Sequence, residues 1–75
     1  MIDEDGRLRL AVWGAGIMGE RVARAASSLA DVTVVAVVDR NEERARYVAN
    51  GIGARAFTDL AGACVSTGAS AVYIG

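Results

Sequence analysis

The stretch Leu10–Ala23, LAVWGAGIMGERVA, decides how the rest of the chain is read. A short apolar run meets three glycines, Gly14, Gly16 and Gly19, spaced G-x-G-x-x-G, and the residues after them take on a helical period. With 9 glycines in 75 residues, that spacing is weak evidence on its own. Its meaning rests on context. A phosphate-binding turn follows a strand and opens a helix, and an acidic residue stands about 20 positions later at the end of the next strand.

The flanks supply that context. Arg7–Trp13, RLRLAVW, begins with alternation and ends apolar throughout, which suits a strand buried on both faces. After the turn, Met18, Val22, Ala25, Ala26 and Leu29 fall on one helical stripe, and Glu20 and Arg24 form an i,i+4 pair off it. Val32–Val38, VTVVAVV, is β-branched and reads as a central strand. Asp39 ends it, 20 residues past Gly19. Asn41 caps a second helix with Glu42 and Glu43 in its first turn and Ala45, Val48, Ala49 and Ile52 on its inner face. Gly51 or Gly53 supplies the left-handed stop. Ala54–Phe57 is a short edge strand, Thr58 caps a third helix weakened by Gly62, Gly68 ends it, and Ser70–Gly75 is a fourth strand.

The order β-α-β-α-β-α-β with right-handed crossovers predicts a partial doubly wound parallel α/β sheet with strand order 3-2-1-4. In that frame each motif residue has a task. Gly14 permits the sharp exit from the strand. Gly16 has no Cβ, so a pyrophosphate can come close to the backbone, and Gly19 lets the helix pack on the sheet. The N–H groups around Ile17 and Met18, with the positive end of the helix, bind phosphate, and Ala15 between the first two glycines is counted with them as a cofactor-binding residue. Asp39 accepts hydrogen bonds from the adenosine ribose hydroxyls and repels a 2′-phosphate, which favours NAD over NADP. Arg40, next in line, can stack on adenine, pair with a 2′-phosphate or stand in solvent, so NADP use stays open.

Composition excludes several other classes. The net charge is −1, and no basic run points to nucleic acid or an anionic membrane. No apolar stretch approaches the ~20 residues that span a bilayer, and the N-terminus MIDEDGR has no signal-peptide core, so a cytoplasmic location is expected. Histidine is absent and Cys64 is the one cysteine, which excludes His-based acid/base chemistry, His-containing zinc sites and an intrachain disulfide within the chain. No catalytic pair emerges among the carboxylates, and no metal site is expected. Trp13 reads as packing between sheet and helix, Cys64 as a small core residue, Tyr73 as packing and Arg21 as exposed. The chain is 53% hydrophobic, apolar for its size, and suggests faces to be covered by more protein. The fourth strand as an open apolar edge predicts marginal stability or self-association, and a homo-oligomer is compatible with it.

RLAVWGAGIMG, VVAVVDRNEERARYVAN, ARAFTDLAG and ASAVYIG together resemble the N-terminal half-domain of the glucose–fructose oxidoreductase / inositol dehydrogenase (Gfo/Idh/MocA) family, over Arg7–Gly75. The glycine motif is shared by many dinucleotide-binding proteins. The combination of V-x-A-V-x-D-R-x-x-x-R-A with F-T-D-L and A-V-Y-I is more specific. The resemblance implies a Rossmann portion, NAD(P)-dependent hydride transfer and a small-molecule substrate such as a sugar, cyclitol or related polyol. It carries over Gly14, Gly16, Gly19, Asp39 and Arg40 as cofactor contacts only. The family's catalytic lysine, in a Glu-Lys-Pro segment, and its substrate domain have no counterpart in these 75 residues. Residues 1–75 are thus expected to be the front of a dinucleotide-binding domain, with 1–6 a flexible lead-in, and inactive by themselves. A non-catalytic NAD(H)-sensing module accounts equally for the glycines and Asp39. A hydroxy-acid dehydrogenase with GIMG in its turn is disfavoured by F-T-D-L.

Overall fold

A computed structural model describes residues 6–75. The elements alternate as β1 (Leu8–Trp13), α1 (Ile17–Ser27), β2 (Val32–Val38), α2 (Glu42–Ile52), β3 (Arg55–Phe57), α3 (Leu60–Thr67) and β4 (Ala71–Ile74). The strands form one sheet in the order β3-β2-β1-β4, and every neighbouring pair is parallel. This is the expected partial doubly wound arrangement. The lead-in expected over residues 1–6 lies, apart from Gly6, outside the described residues.

The two faces of the sheet are covered unequally. Val12, Val34 and Val37 pack with Ala23 and Ala26 of α1 and Val48 and Ala49 of α2. Ala11, Ala36 and Val38 pack on the opposite face with Ala63 of α3. An extra residue in β2, Val35, stands opposite the step from Leu10 to Ala11, so Val35 and Ala36 both pack toward α3. β2 is buried on both faces over most of its length because α1 and α2 cover one side and α3 the other, as its apolar run Val34–Val38 requires.

Four local expectations are corrected. The buried stripe of α1 is Gly19, Ala23 and Ala26, while Met18 and Leu29 are exposed. Small residues let the helix lie close on the sheet, so the face is chosen by Gly19 rather than by the largest side chains. Trp13 does not pack between sheet and helix. It is 43% exposed and pairs in register with Val38 and Ile74 on the α3 side. The eight residues of α3 reach Ala11, Ala36 and Val38 but leave the ends of β1 and β4 bare. Cys64 is only half-buried. The cap of α3 is Asp59 rather than Thr58, and its carboxylate accepts from the Gly62 N–H at 2.7 Å. A Cβ on Gly62 would stand 2.9 Å from that carboxylate, so the glycine that seemed to weaken the helix makes room for its cap.

Other readings hold. Asn41 caps α2, Gly53 closes it with φ +74°, and Gly68 closes α3 with φ +69°. Tyr73 packs against the larger core cluster, Arg21 is exposed, and Glu20 pairs with Arg24 at 2.9 Å.

Candidate functional site

The carboxyl ends of β1 and β2 converge on the glycine turn, the place where ligands bind in open α/β sheets. The three glycines are there for different reasons. Gly14 has φ +113°, a backbone conformation closed to most side chains, and its N–H donates to the Val38 carbonyl at 2.7 Å, tying the turn to β2. Gly19 is steric. A Cβ there would stand 1.8 Å from the Gly14 carbonyl oxygen. Gly16 is neither. Its φ of −73° suits any residue, and a Cβ on it would meet nothing within 4 Å. Nothing among the described residues demands glycine at position 16, whereas a group approaching the backbone from outside would.

The donors for such a group are present. Gly16 is the N-cap of α1 and there is no side-chain cap. The N–H groups of Gly16, Ile17 and Met18 have no acceptor among the described residues. These orphan donors and the helix dipole form a local anion site.

Asp39 stands beside the turn. One carboxylate oxygen, Oδ2, accepts from the Ala15 N–H at 2.7 Å and the other, Oδ1, from the Asn41 N–H at 2.8 Å. The Ala15 bond, then the Asn41 bond, holds the carboxyl below the usual carboxylate range against partial burial, with Arg44 helping at longer range. Two hydrogen bonds leave acceptor capacity on an ionised carboxylate for a diol. The structure therefore brings Gly14, Ala15, Gly16, Ile17, Met18, Gly19 and Asp39 together. Arg40, next along the chain, is exposed.

Three residues have contacts at the site that the sequence reading does not assign. Gly75, just past β4, donates its N–H to the Trp13 carbonyl at 2.8 Å, and a Cβ on it would come within 3.2 Å of Gly19 Cα. Arg44 reaches from α2 to the Ala15 carbonyl, with Nε at 3.0 Å and Nη2 at 2.6 Å. Glu20 bridges Arg44 at 3.3 Å and Arg24 at 2.9 Å, and the Arg24 hydrogen bond first, then Arg44, lowers its pKa. Gly75 could have been suspected from the apolar run before it. The partner of Arg44 lies 29 residues away, and no spacing rule marks it.

Fold and turn together define a dinucleotide-binding α/β unit. Residues 8–75 match the family model of the Gfo/Idh/MocA oxidoreductases, described as an oxidoreductase family with an NAD-binding Rossmann fold, and the chain belongs to that family. It is 43% identical over 68 residues to an inositol 2-dehydrogenase of Renibacterium salmoninarum, which covers 89% of this chain and 20% of that protein. Among solved structures it resembles GenD2 from gentamicin A biosynthesis, crystallised with NAD (TM-score 0.86, 34% identity, 92% of this chain and 20% of that one). It also resembles a myo-inositol dehydrogenase of Corynebacterium glutamicum (TM-score 0.84, 28% identity, 92% and 21%). The chain spans about a fifth of the length of these relatives. Among the described residues no helix is long and apolar enough to cross a membrane.

Proposed function

We propose that residues 1–75 are the N-terminal part of the cofactor domain of an NAD-dependent dehydrogenase that acts on a sugar, cyclitol or related polyol. The observation that carries the cofactor half of this reading is Gly16, whose missing Cβ serves no contact among the described residues. The turn N–H groups of Gly16, Ile17 and Met18 would hold the pyrophosphate, Gly14, Ala15 and Gly19 shape the turn, and Asp39 would take the ribose hydroxyls. NAD is preferred over NADP because Asp39 is held ionised where a 2′-phosphate would add like charge. Arg40, exposed to solvent, would stand at the adenosine end. The polyol class is supported by the inositol dehydrogenases among the relatives.

Bound nicotinamide would accept or give up the hydride. Residues 1–75 contain neither histidine nor lysine, since the eight basic residues are all arginines, so neither of these two side chains within them takes the proton of a polyol hydroxyl. The test is a fluorescence titration of the whole natural protein with NADH and NADPH. NADH should bind more tightly, and Gly16→Ala should weaken it at least about 10-fold while the fold persists. Unchanged NADH affinity in Gly16→Ala would remove the pyrophosphate assignment. Turnover with inositols and hexoses in the same protein tests the substrate class.

A further inference from the structure

We propose that Arg44 is a positioning residue for the pyrophosphate-binding turn, and that it acts through the carbonyl of Ala15. The proposal rests on the dinucleotide reading above and adds a residue to it.

Ala15 is the middle residue of G-x-G, and both of its backbone polar groups are held by groups from the β2–α2 segment. Its N–H is taken by Asp39 at 2.7 Å and its C=O by two N–H groups of the Arg44 guanidinium, at 3.0 and 2.6 Å. The guanidinium is held in turn. Glu20 Oε1 pairs with it at 3.3 Å, and its Cζ stands 5.3 Å from the centroid of the Tyr47 ring. It is thus fixed from α1 on one side and from its own helix on the other.

The consequence follows from peptide geometry. No peptide bond here is cis, so the Ala15 C=O and the Gly16 N–H point in opposite directions across one plane. Holding the carbonyl on Arg44 aims the Gly16 N–H away from α2, and that N–H finds no acceptor among the described residues. Without the clamp the same peptide could rotate and present a carbonyl oxygen where a phosphate has to sit. Gly16 on one side of that peptide makes such a rotation easy, because a glycine leaves its φ unrestrained. Charge-assisted, two-pronged bonds are the kind that resist it, and a lysine cannot reproduce the fork.

The test uses the whole natural protein and four ligands: NADH, NADPH, ADP-ribose and adenosine. ADP-ribose carries the pyrophosphate, and adenosine carries none. Arg44→Ala should weaken NADH and ADP-ribose about 10- to 100-fold, the range for loss of a hydrogen bond to a charged group, and leave adenosine within about 2-fold. Arg44→Lys, which keeps the charge, should recover only part of the loss and carries the same comparison if the alanine variant does not fold. Equal losses for adenosine and ADP-ribose, with a lowered melting temperature, would make Arg44 a strut of α2 and overturn the proposal. Full recovery in Arg44→Lys would overturn it in favour of a charge acting at a distance. A loss confined to NADPH would overturn it in favour of a direct 2′-phosphate contact. A wild-type protein that binds adenosine but gains nothing from the pyrophosphate would instead remove the underlying dinucleotide reading.

Discussion

Helices α1 and α3 begin in opposite ways. At α3 the chain satisfies itself. Asp59 turns its carboxylate onto the Gly62 N–H, and Gly62 lacks the Cβ that would block it. α2 does the same with Asn41, which accepts from the Arg44 N–H at 3.2 Å. At α1 the cap is Gly16, with no side chain, and the first N–H groups have no acceptor among the described residues. An exposed helix start normally gains about 1 kcal/mol from a capping side chain. α1 forgoes it, although the nearby Asp39 carboxylate is close enough to bind Ala15. A helix start left open inside a turn tied down by Gly14, Asp39 and Arg44 is rigid yet unsatisfied, which is the condition for receiving a phosphate.

The largest effect is expected where that open start meets the sheet. Gly19→Ala puts a methyl 1.8 Å from the Gly14 carbonyl, so turn and helix must separate. A loss of about 3 kcal/mol or more, at the top of the usual range for overpacking, should appear in urea denaturation. A loss below about 1 kcal/mol would show that the turn is softer than described.

Asp39→Asn comes next. It leaves the Ala15 and Asn41 N–H groups with one good acceptor between them, and a cost of about 1–3 kcal/mol is expected. The pH dependence has a definite sign. The folded pKa of Asp39 lies below its unfolded value, so its contribution is fully present above about pH 4 and fades as pH falls through the folded pKa. Thermal melts between about pH 2 and 4 should therefore lose less stability in Asp39→Asn than in the wild type. Parallel slopes would count against the tether.

Asp59→Ala should cost about 1 kcal/mol, the usual worth of a cap, and should leave NADH binding alone. Gly16→Ala is the smallest in stability and the most telling. Its backbone suits alanine and its Cβ meets nothing, so a change within about 1 kcal/mol is expected without cofactor. With NADH at about 100 times the wild-type Kd, the wild type should gain about 2.7 kcal/mol, Asp59→Ala should keep that gain, and Gly16→Ala should lose about half of it or more. Equal gains in all three would erase the functional difference between the two helix starts.

Much of this site could be read before any coordinates, because its signals are local. Strand, turn and helix follow one another in sequence, and the apolar periods change from continuous to helical across Gly14–Gly19. Asp39 was found by spacing, since one helix and one strand consume a fairly constant number of residues. The errors fell where a partner decides the outcome. Met18 and Leu29 looked like the buried stripe until Gly19 took the contact. Trp13 looked buried until α3 proved too short to cover it. Thr58 and Asp59 are both capping types, and the choice was made by the room at Gly62.

The sequence by itself determined the β-α-β-α-β-α-β order, the parallel sheet 3-2-1-4 and the position of the glycine turn, because residue periods and backbone freedom are properties of neighbouring residues. Only the tertiary structure decided that Asp39 and Arg44 grip opposite ends of Ala15, that Glu20 joins α1 to α2, and that Gly16 alone of the three glycines answers to nothing among the described residues. Those contacts join residues 24 to 29 positions apart, and their distances are set by how α1 and α2 lie on one face of the sheet.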